Sequence, residues 1–251
     1  DLSMAFSAFL ALGFTPALCA TFLKPTHNDN PNIVYRTFNK YYDKISHTYV
    51  GHITSAVRLV RAEPRYAALD QRPDGGWSLD LQKLFDKVDA RTRAIFVNSP
   101  GNPTGWTMST DEQRALLDFA RKRGIWIMAD EVYARLIYTR PVAPSFLELA
   151  GPDDPVLVLN SFSKPWAMTG WRLGWLTHPA GLGDQFAKLV QINTSGVPGF
   201  LQRGGIAALE KGDAFVDEMV ARCRSGGELV FQRLSALPRV RIARPEALEH
   251  E

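Results

Sequence analysis

Four short runs of hydrophobic residues follow one another in the middle of the chain. They occupy residues 94–97, 125–129, 156–159 and 173–176. Each run is continuous rather than alternating between apolar and polar positions. Continuous runs of this length are typical of strands covered on both faces, as in a sheet with helices on each side. The pattern predicts α/β architecture, with the run at 173–176 as the candidate antiparallel strand.

Helical patterns lie between and after these runs. The sequence Ser109-Thr110-Asp111-Glu112 is a capping box, and the helix that it opens is expected to stop at Gly124. This helix joins the first two runs into a strand–helix–strand unit. The other predicted helices cover residues 79–88, 183–192, 199–211 and 213–237.

The first third of the chain shows no comparable pattern. Residues 2–23 carry no charge, and an uncharged stretch of this length can span a membrane. It is interrupted by Gly13, Thr15 and Pro16, so we predict a buried helix–turn–strand, with a membrane or targeting segment as the alternative. Periodicity predicts no element in residues 24–50.

Composition narrows the class of protein. The chain has 251 residues, 45% of them hydrophobic and 22% charged, which is ordinary for a globular protein. Its 29 basic and 26 acidic residues give a net charge of +3, and they are scattered, so neither nucleic acid nor a membrane is an expected partner. Cys19 and Cys223 form no disulfide or zinc pattern, which favours a cytoplasmic protein.

Polar side chains follow three of the four hydrophobic runs, in residues 98–105, 130–133 and 160–164. Ligands of α/β sheets bind outside the carboxyl ends of the strands, so we expect these segments to meet at one crevice. A lysine there can form a Schiff base with an aldehyde cofactor such as pyridoxal phosphate, whose pyridine nitrogen normally has a carboxylate partner. A phosphate group prefers an arginine and hydroxyl donors.

Three motifs, in this order, resemble the signature of class I/II aminotransferases, which are fold-type I pyridoxal-phosphate enzymes. They are Asn-Pro-Thr-Gly at 102–105, Asp130 with Tyr133 three positions on, and Ser161-Phe-Ser-Lys164 followed by Met168-Thr-Gly-Trp-Arg172. The resemblance extends from about residue 75 to residue 209. It implies pyridoxal phosphate as the cofactor, and an amino acid and a 2-oxo acid as substrates.

The same resemblance implies a role for each side chain in these motifs. Lys164 would form the Schiff base and move the proton between the substrate and the cofactor. Asp130 would stay ionised against the pyridine N–H, and Tyr133 completes the catalytic set. Asn102 and Tyr133 would hydrogen-bond to the phenolic oxygen of the cofactor. Ser161 and Arg172 would bind its phosphate. No metal ligand is implied, and the five histidines show no metal-binding spacing.

The resemblance also implies a fold and a domain arrangement. The expected fold is a three-layer α/β/α large domain with a mixed, mostly parallel sheet, short at both ends relative to the family. Residues 1–210 would form the cofactor-binding domain, with 1–65 matching it poorly. Residues 211–251 would be a helix leading toward a small C-terminal domain that is mostly absent. Family sites are completed across a homodimer, so a homodimer is expected.

Two other functions are compatible with the same residues. A pyridoxal-phosphate-dependent carbon–sulfur β-lyase would use the same cofactor contacts and differ on the substrate side. A non-catalytic aminotransferase-like sensor or fragment would also keep them. A serine acyltransferase is disfavoured, because Ser161 and Lys164 match S-x-x-K but the companion motifs S-D-N and K-T-G are absent.

Overall fold

The computed structural model describes residues 63–237, 240 and 242–244. By its contacts the chain divides into two units, and the unit Leu69–His250 contains the predicted strands. The uncharged stretch 2–23 and the segment 24–50 lie outside the described residues. None of the helices in the described part of the chain is long and apolar enough to cross a membrane.

The four hydrophobic runs form neighbouring strands of one sheet. A separate antiparallel pair precedes them and consists of β1 (Asp70–Gln71) and β2 (Trp77–Ser78). The strands of the sheet, in spatial order, are β3 (Ala94–Asn98), β4 (Trp126–Asp130), β5 (Val156–Ser161) and β6 (Gly174–Thr177). Strands β3 and β4 pair in parallel, as do β4 and β5, whereas β5 and β6 are antiparallel. This confirms the α/β class, the mostly parallel sheet and the antiparallel fourth strand.

The predicted helices are also present, with shifts at their ends. The first starts at Leu81 rather than at residue 79, because the Asp80 side chain caps it by accepting the N–H groups of Gln82 and Lys83. It ends at Phe85, three residues earlier than expected. The α-helices are α1 (Leu81–Phe85), α2 (Thr110–Arg123), α3 (Gly183–Thr194), α4 (Gly199–Lys211) and α5 (Asp213–Ser235). The 3-10 helices are Phe146–Glu148, Thr169–Trp171 and Ala180–Leu182.

Helix α2 begins and ends as the sequence predicts. The Ser109 side chain accepts the Glu112 N–H, and the Glu112 carboxylate accepts the Ser109 N–H at 2.7 Å. The helix ends at Gly124, whose φ of 65° is left-handed and is available to glycine without a steric penalty. Between these caps, Leu116 and Leu117 are buried against the sheet in the main core.

The main core lies on one face of the sheet. Alternate strand residues, among them Ile95, Ile127 and Val158, are buried there with α2. The opposite face differs from the prediction of strands covered on both sides: the Phe96 side chain, which points to it, is 60% exposed. Among the described residues, the second covered face is therefore not seen at Phe96 of β3, whose buried positions alternate with exposed ones.

A second core lies under the segments that follow β4 and β5. It joins Tyr133 and Trp166 to Val216 of α5. Trp166 is 7% exposed, and its ring packs against that of Phe162 in this core. Trp171 and Trp175 are 42% and 40% exposed, and the Trp175 ring makes an edge contact with Phe162.

Candidate active site

The sheet topology brings the predicted site segments to one edge. Because β3, β4 and β5 are parallel, their carboxyl ends lie together, and Asn98 pairs in register with Asp130. Strand β6 is antiparallel, so it starts at this same edge, where Gly174 pairs with Ser161. Arg172 therefore reaches the carboxyl ends of the other strands although it precedes its own strand.

The loop after β3 brings Asn102 to Tyr133. Buried Ser99 accepts the Met108 N–H at 2.8 Å, and the Gly101 N–H donates to the Trp106 carbonyl at 2.9 Å, so both ends of the loop are held. The Asn102 amide then donates to the Tyr133 hydroxyl at 3.1 Å. Two residues expected to contact the same cofactor oxygen are thus hydrogen-bonded to each other.

Lys164 lies beside the same tyrosine. Its Nζ is 5.4 Å from the centroid of the Tyr133 ring, within range of a cation–π contact. Tyr133 is only 5% exposed, and the Leu136 N–H donates to its carbonyl at 2.8 Å. The buried tyrosine ring therefore lies on one side of the lysine amine.

Asp130 is a half-buried carboxylate at the end of β4. Its side chain accepts the Val132 N–H at 3.2 Å and a hydrogen bond from the side chain of Asn98. Burial raises the pKa of Asp130, and these two bonds only partly oppose the rise. Within the part of the chain that is described, no cation contributes to its pKa, so a cationic ligand group would stabilise its charged form.

Ser161 and Arg172 lie at the neighbouring strand end. The Ser161 hydroxyl donates to the Leu173 carbonyl at 3.3 Å and accepts the Ser163 N–H at 3.0 Å. Arg172 is exposed, has a left-handed φ of 52°, and its guanidinium donates to the Thr169 carbonyl at 3.1 Å. Gly174 is required beside them, because a Cβ there would lie 2.6 Å from the Asn160 carbonyl oxygen.

Two further polar residues at this edge, Asn98 and Glu131, were not among the predicted site residues. Asn98 reaches Asp130 because parallel register places them side by side on β3 and β4. A polar residue ending one strand opposite a carboxylate ending the next is the signal that could have identified it. Glu131 follows Asp130 and is 3% exposed, which sequence alone does not indicate because adjacent acids are usually solvated.

These side chains fit one kind of ligand. An amine, a phenol with an amide, and a carboxylate that lacks a cationic partner among the described residues suit an aldehyde-bearing aromatic ring with a protonated nitrogen. A hydroxyl and a guanidinium at the adjoining strand end suit a phosphate on the same ligand. The donor set therefore fits pyridoxal phosphate.

An α/β sheet with such a lysine-bearing edge is the arrangement of fold-type I pyridoxal-phosphate enzymes. A family model described as aminotransferase class I and II matches residues 45–247. The chain belongs to the class I and II aminotransferase family, which implies pyridoxal phosphate as its cofactor.

Individual relatives support this assignment. The chain is 32% identical over 187 residues to an aspartate aminotransferase of Pyrococcus horikoshii, covering 74% of this chain and 47% of the relative. The crystal structure of an aromatic aminotransferase from Pyrococcus horikoshii superposes with a TM-score of 0.69 at 29% identity, covering 78% of this chain and 52% of that one. A PLP-bound structure from Clostridium difficile has the same TM-score at 15% identity, a likeness of fold alone. The chain spans about half the length of the relatives that it matches.

A second family model covers the segment that lacks the aminotransferase motifs. A model described as the AcrB/AcrD/AcrF family matches residues 1–64. The two matches share residues 45–64. The chain thus carries similarity to two families, and the predicted site residues all lie in the part matched by the aminotransferase family alone.

Proposed function

We propose that this chain carries the cofactor-binding half of an aminotransferase that moves an amino group between an amino acid and a 2-oxo acid. One observation carries the proposal: the Lys164 amine lies against a tyrosine that is hydrogen-bonded to Asn102, at the sheet edge where β4 ends in Asp130. When bound, pyridoxal phosphate supplies an electron sink for the charge left when a substrate Cα loses its proton.

Residues of the chain would bind the cofactor and move the proton. Lys164 would hold the cofactor through its amine, replacing the aldehyde oxygen, which leaves as water, and the same amine would take up and return the proton of the substrate Cα. Asp130 fixes the ring nitrogen in its protonated form, because two hydrogen bonds keep the carboxylate in place. Asn102 and Tyr133 bind the phenolic oxygen, and the buried tyrosine ring excludes water from one side of the lysine.

The visible spectrum of the protein with pyridoxal phosphate, followed by a panel of amino acids, tests this function. We expect the protein to turn yellow with the cofactor. One class of amino acid should slowly remove the yellow absorbance, and a 2-oxo acid should restore it. Release of a thiol without this reversal would favour a carbon–sulfur β-lyase. A spectral shift with no loss of the amino group would favour a sensor, and absence of any cofactor spectrum would contradict the proposal.

Arg172→Ala should weaken pyridoxal phosphate binding at least about tenfold, because a charge-assisted hydrogen bond is worth roughly 1.5–3 kcal/mol. Fluorescence titration of the cofactor-free protein measures the affinity. Arg114→Ala is the control, since that exposed arginine pairs with Asp111 on α2. Equal affinities in the parent protein and Arg172→Ala would remove Arg172 from the phosphate site.

We further propose a homodimer in the cytoplasm. Helices α3 and α4 expose apolar side chains to an unusual extent, with Ile192 at 84% and Phe200 at 73%. A cytoplasmic location is supported by the positions of Cys19 and Cys223 in the sequence, which match neither a disulfide framework nor a zinc site. Sedimentation of the cofactor-loaded protein should give twice the chain mass, and a monomer across micromolar concentrations would contradict the dimer.

A further inference from the structure

Glu131 is a buried carboxylate that none of the functions above uses. It lies between Asp130 and the turn that carries Tyr133, and it is 3% exposed. Its Oε1 accepts the Phe146 N–H at 3.0 Å, and the Ser145 side chain also hydrogen-bonds to it. Burying a carboxylate is unfavourable unless donors compensate it, so this side chain is held in one orientation by both bonds.

The backbone of the same residue is equally constrained. The Glu131 N–H donates to the Leu159 carbonyl on β5 at 2.9 Å, and the Ala134 N–H donates to the Glu131 carbonyl at 2.9 Å. Glu131 is therefore anchored through its amide, its carbonyl and its carboxylate. The end of β4 and the turn that follows it meet at this residue.

The carboxylate links the two cores. Phe146, whose N–H it accepts, is 1% exposed and belongs to the main core, whereas Tyr133 belongs to the second core. Loss of the carboxylate would remove the side-chain tie between the turn and the 3-10 helix that begins at Phe146, and would leave the bond from the Ala143 N–H to the Ala134 carbonyl. Asp130 directly precedes Glu131 and Tyr133 follows it by two residues, so this freedom would reach both of these cofactor-binding residues.

We propose that Glu131 is a positioning residue, which ties the Asp130–Tyr133 turn to the 3-10 helix at Phe146 and so orients both side chains for the cofactor. The part of this proposal that concerns cofactor binding rests on the proposed function. The tether itself is a property of the cofactor-free protein. It can therefore be tested whether or not the chain binds pyridoxal phosphate.

The experiment compares three variants by hydrogen exchange of the turn amides and by titration with pyridoxal phosphate. Glu131→Leu removes the acceptor, and Glu131→Gln keeps one oxygen for the Phe146 N–H. Gln113→Leu is the matched control: Gln113 is 1% exposed, and its amide donates to the Pro144 carbonyl at 3.0 Å, so it tethers the same loop without touching the turn.

We expect Glu131→Leu to speed exchange of the Val132 and Ala134 amides at least about tenfold in the cofactor-free protein. It should weaken pyridoxal phosphate binding by about the same factor. In Glu131→Gln, the exchange rate and the cofactor affinity should both lie within about threefold of the parent values. Gln113→Leu should lower the free energy of unfolding without changing either quantity. Turn exchange in Glu131→Leu no faster than in Gln113→Leu would overturn the proposal.

The experiment remains interpretable if Glu131→Leu does not fold or if the parent protein binds no cofactor. If Glu131→Leu does not fold, Ser145→Ala removes one donor to the same carboxylate and should speed turn exchange in the same direction, whereas unchanged exchange would overturn the tether. If the parent protein binds no pyridoxal phosphate, the proposed function fails, while the exchange comparison still decides whether Glu131 fixes the turn.

Discussion

Asp130→Ala is expected to slow removal of the substrate Cα proton by about 100-fold or more, in a protein that still binds pyridoxal phosphate. Fixed charge in a water-poor site is worth a few kcal/mol in the transition state, and each 1.36 kcal/mol is about tenfold in rate. Single-turnover absorbance with the best amino acid from the panel measures this rate. The effect falls on the rate because the carboxylate acts through the protonated ring nitrogen.

Asp111→Ala is the control for this prediction. Asp111 is also an acid, but its side chain is 93% exposed and its ion pair with Arg114 contributes little. The Asp130 variant should remain folded, because burial raises the pKa of that carboxyl and its ionised form therefore opposes folding above its ordinary pKa. A parent-like rate in folded Asp130→Ala would remove Asp130 from the mechanism.

Lys164→Ala is expected to abolish covalent attachment of the cofactor and to reduce turnover at least about 1,000-fold, equivalent to about 4 kcal/mol. The amine both holds the aldehyde and moves the proton, so two contributions are lost together. Gel filtration should strip the cofactor from this variant and leave it on the parent protein. Lys188→Ala, an exposed lysine on α3, should behave as the parent does.

Local sequence signals were enough to predict the elements that position the site. The four hydrophobic runs became β3 to β6 because each is long enough for one strand and is bounded by turn residues. Helix α2 could be bounded within one residue because Ser109, Glu112 and Gly124 satisfy its terminal backbone groups. Since parallel strands end at one edge, the sequence alone was enough to place Asp130 and Ser161 close together.

Features that depend on register or on distant contacts were not predictable in this way. The bond from Asn98 to Asp130 requires both strands to end in register. Burial of Glu131 depends on the Phe146 N–H, fifteen residues away, which no periodicity encodes. The hydrophobic run at β3 indicates a strand with two covered faces. The exposure of Phe96 depends instead on which elements pack on that strand, and the run does not encode this.

The central claim is that Lys164 carries the cofactor. Borohydride reduction of the protein with pyridoxal phosphate, followed by peptide mapping, tests it most directly, because reduction fixes the pyridoxyl group on the amine that held it. The account predicts one labelled peptide with the group on Lys164 and no such label in Lys164→Ala. Labelling of other lysines with Lys164 unmodified would contradict it.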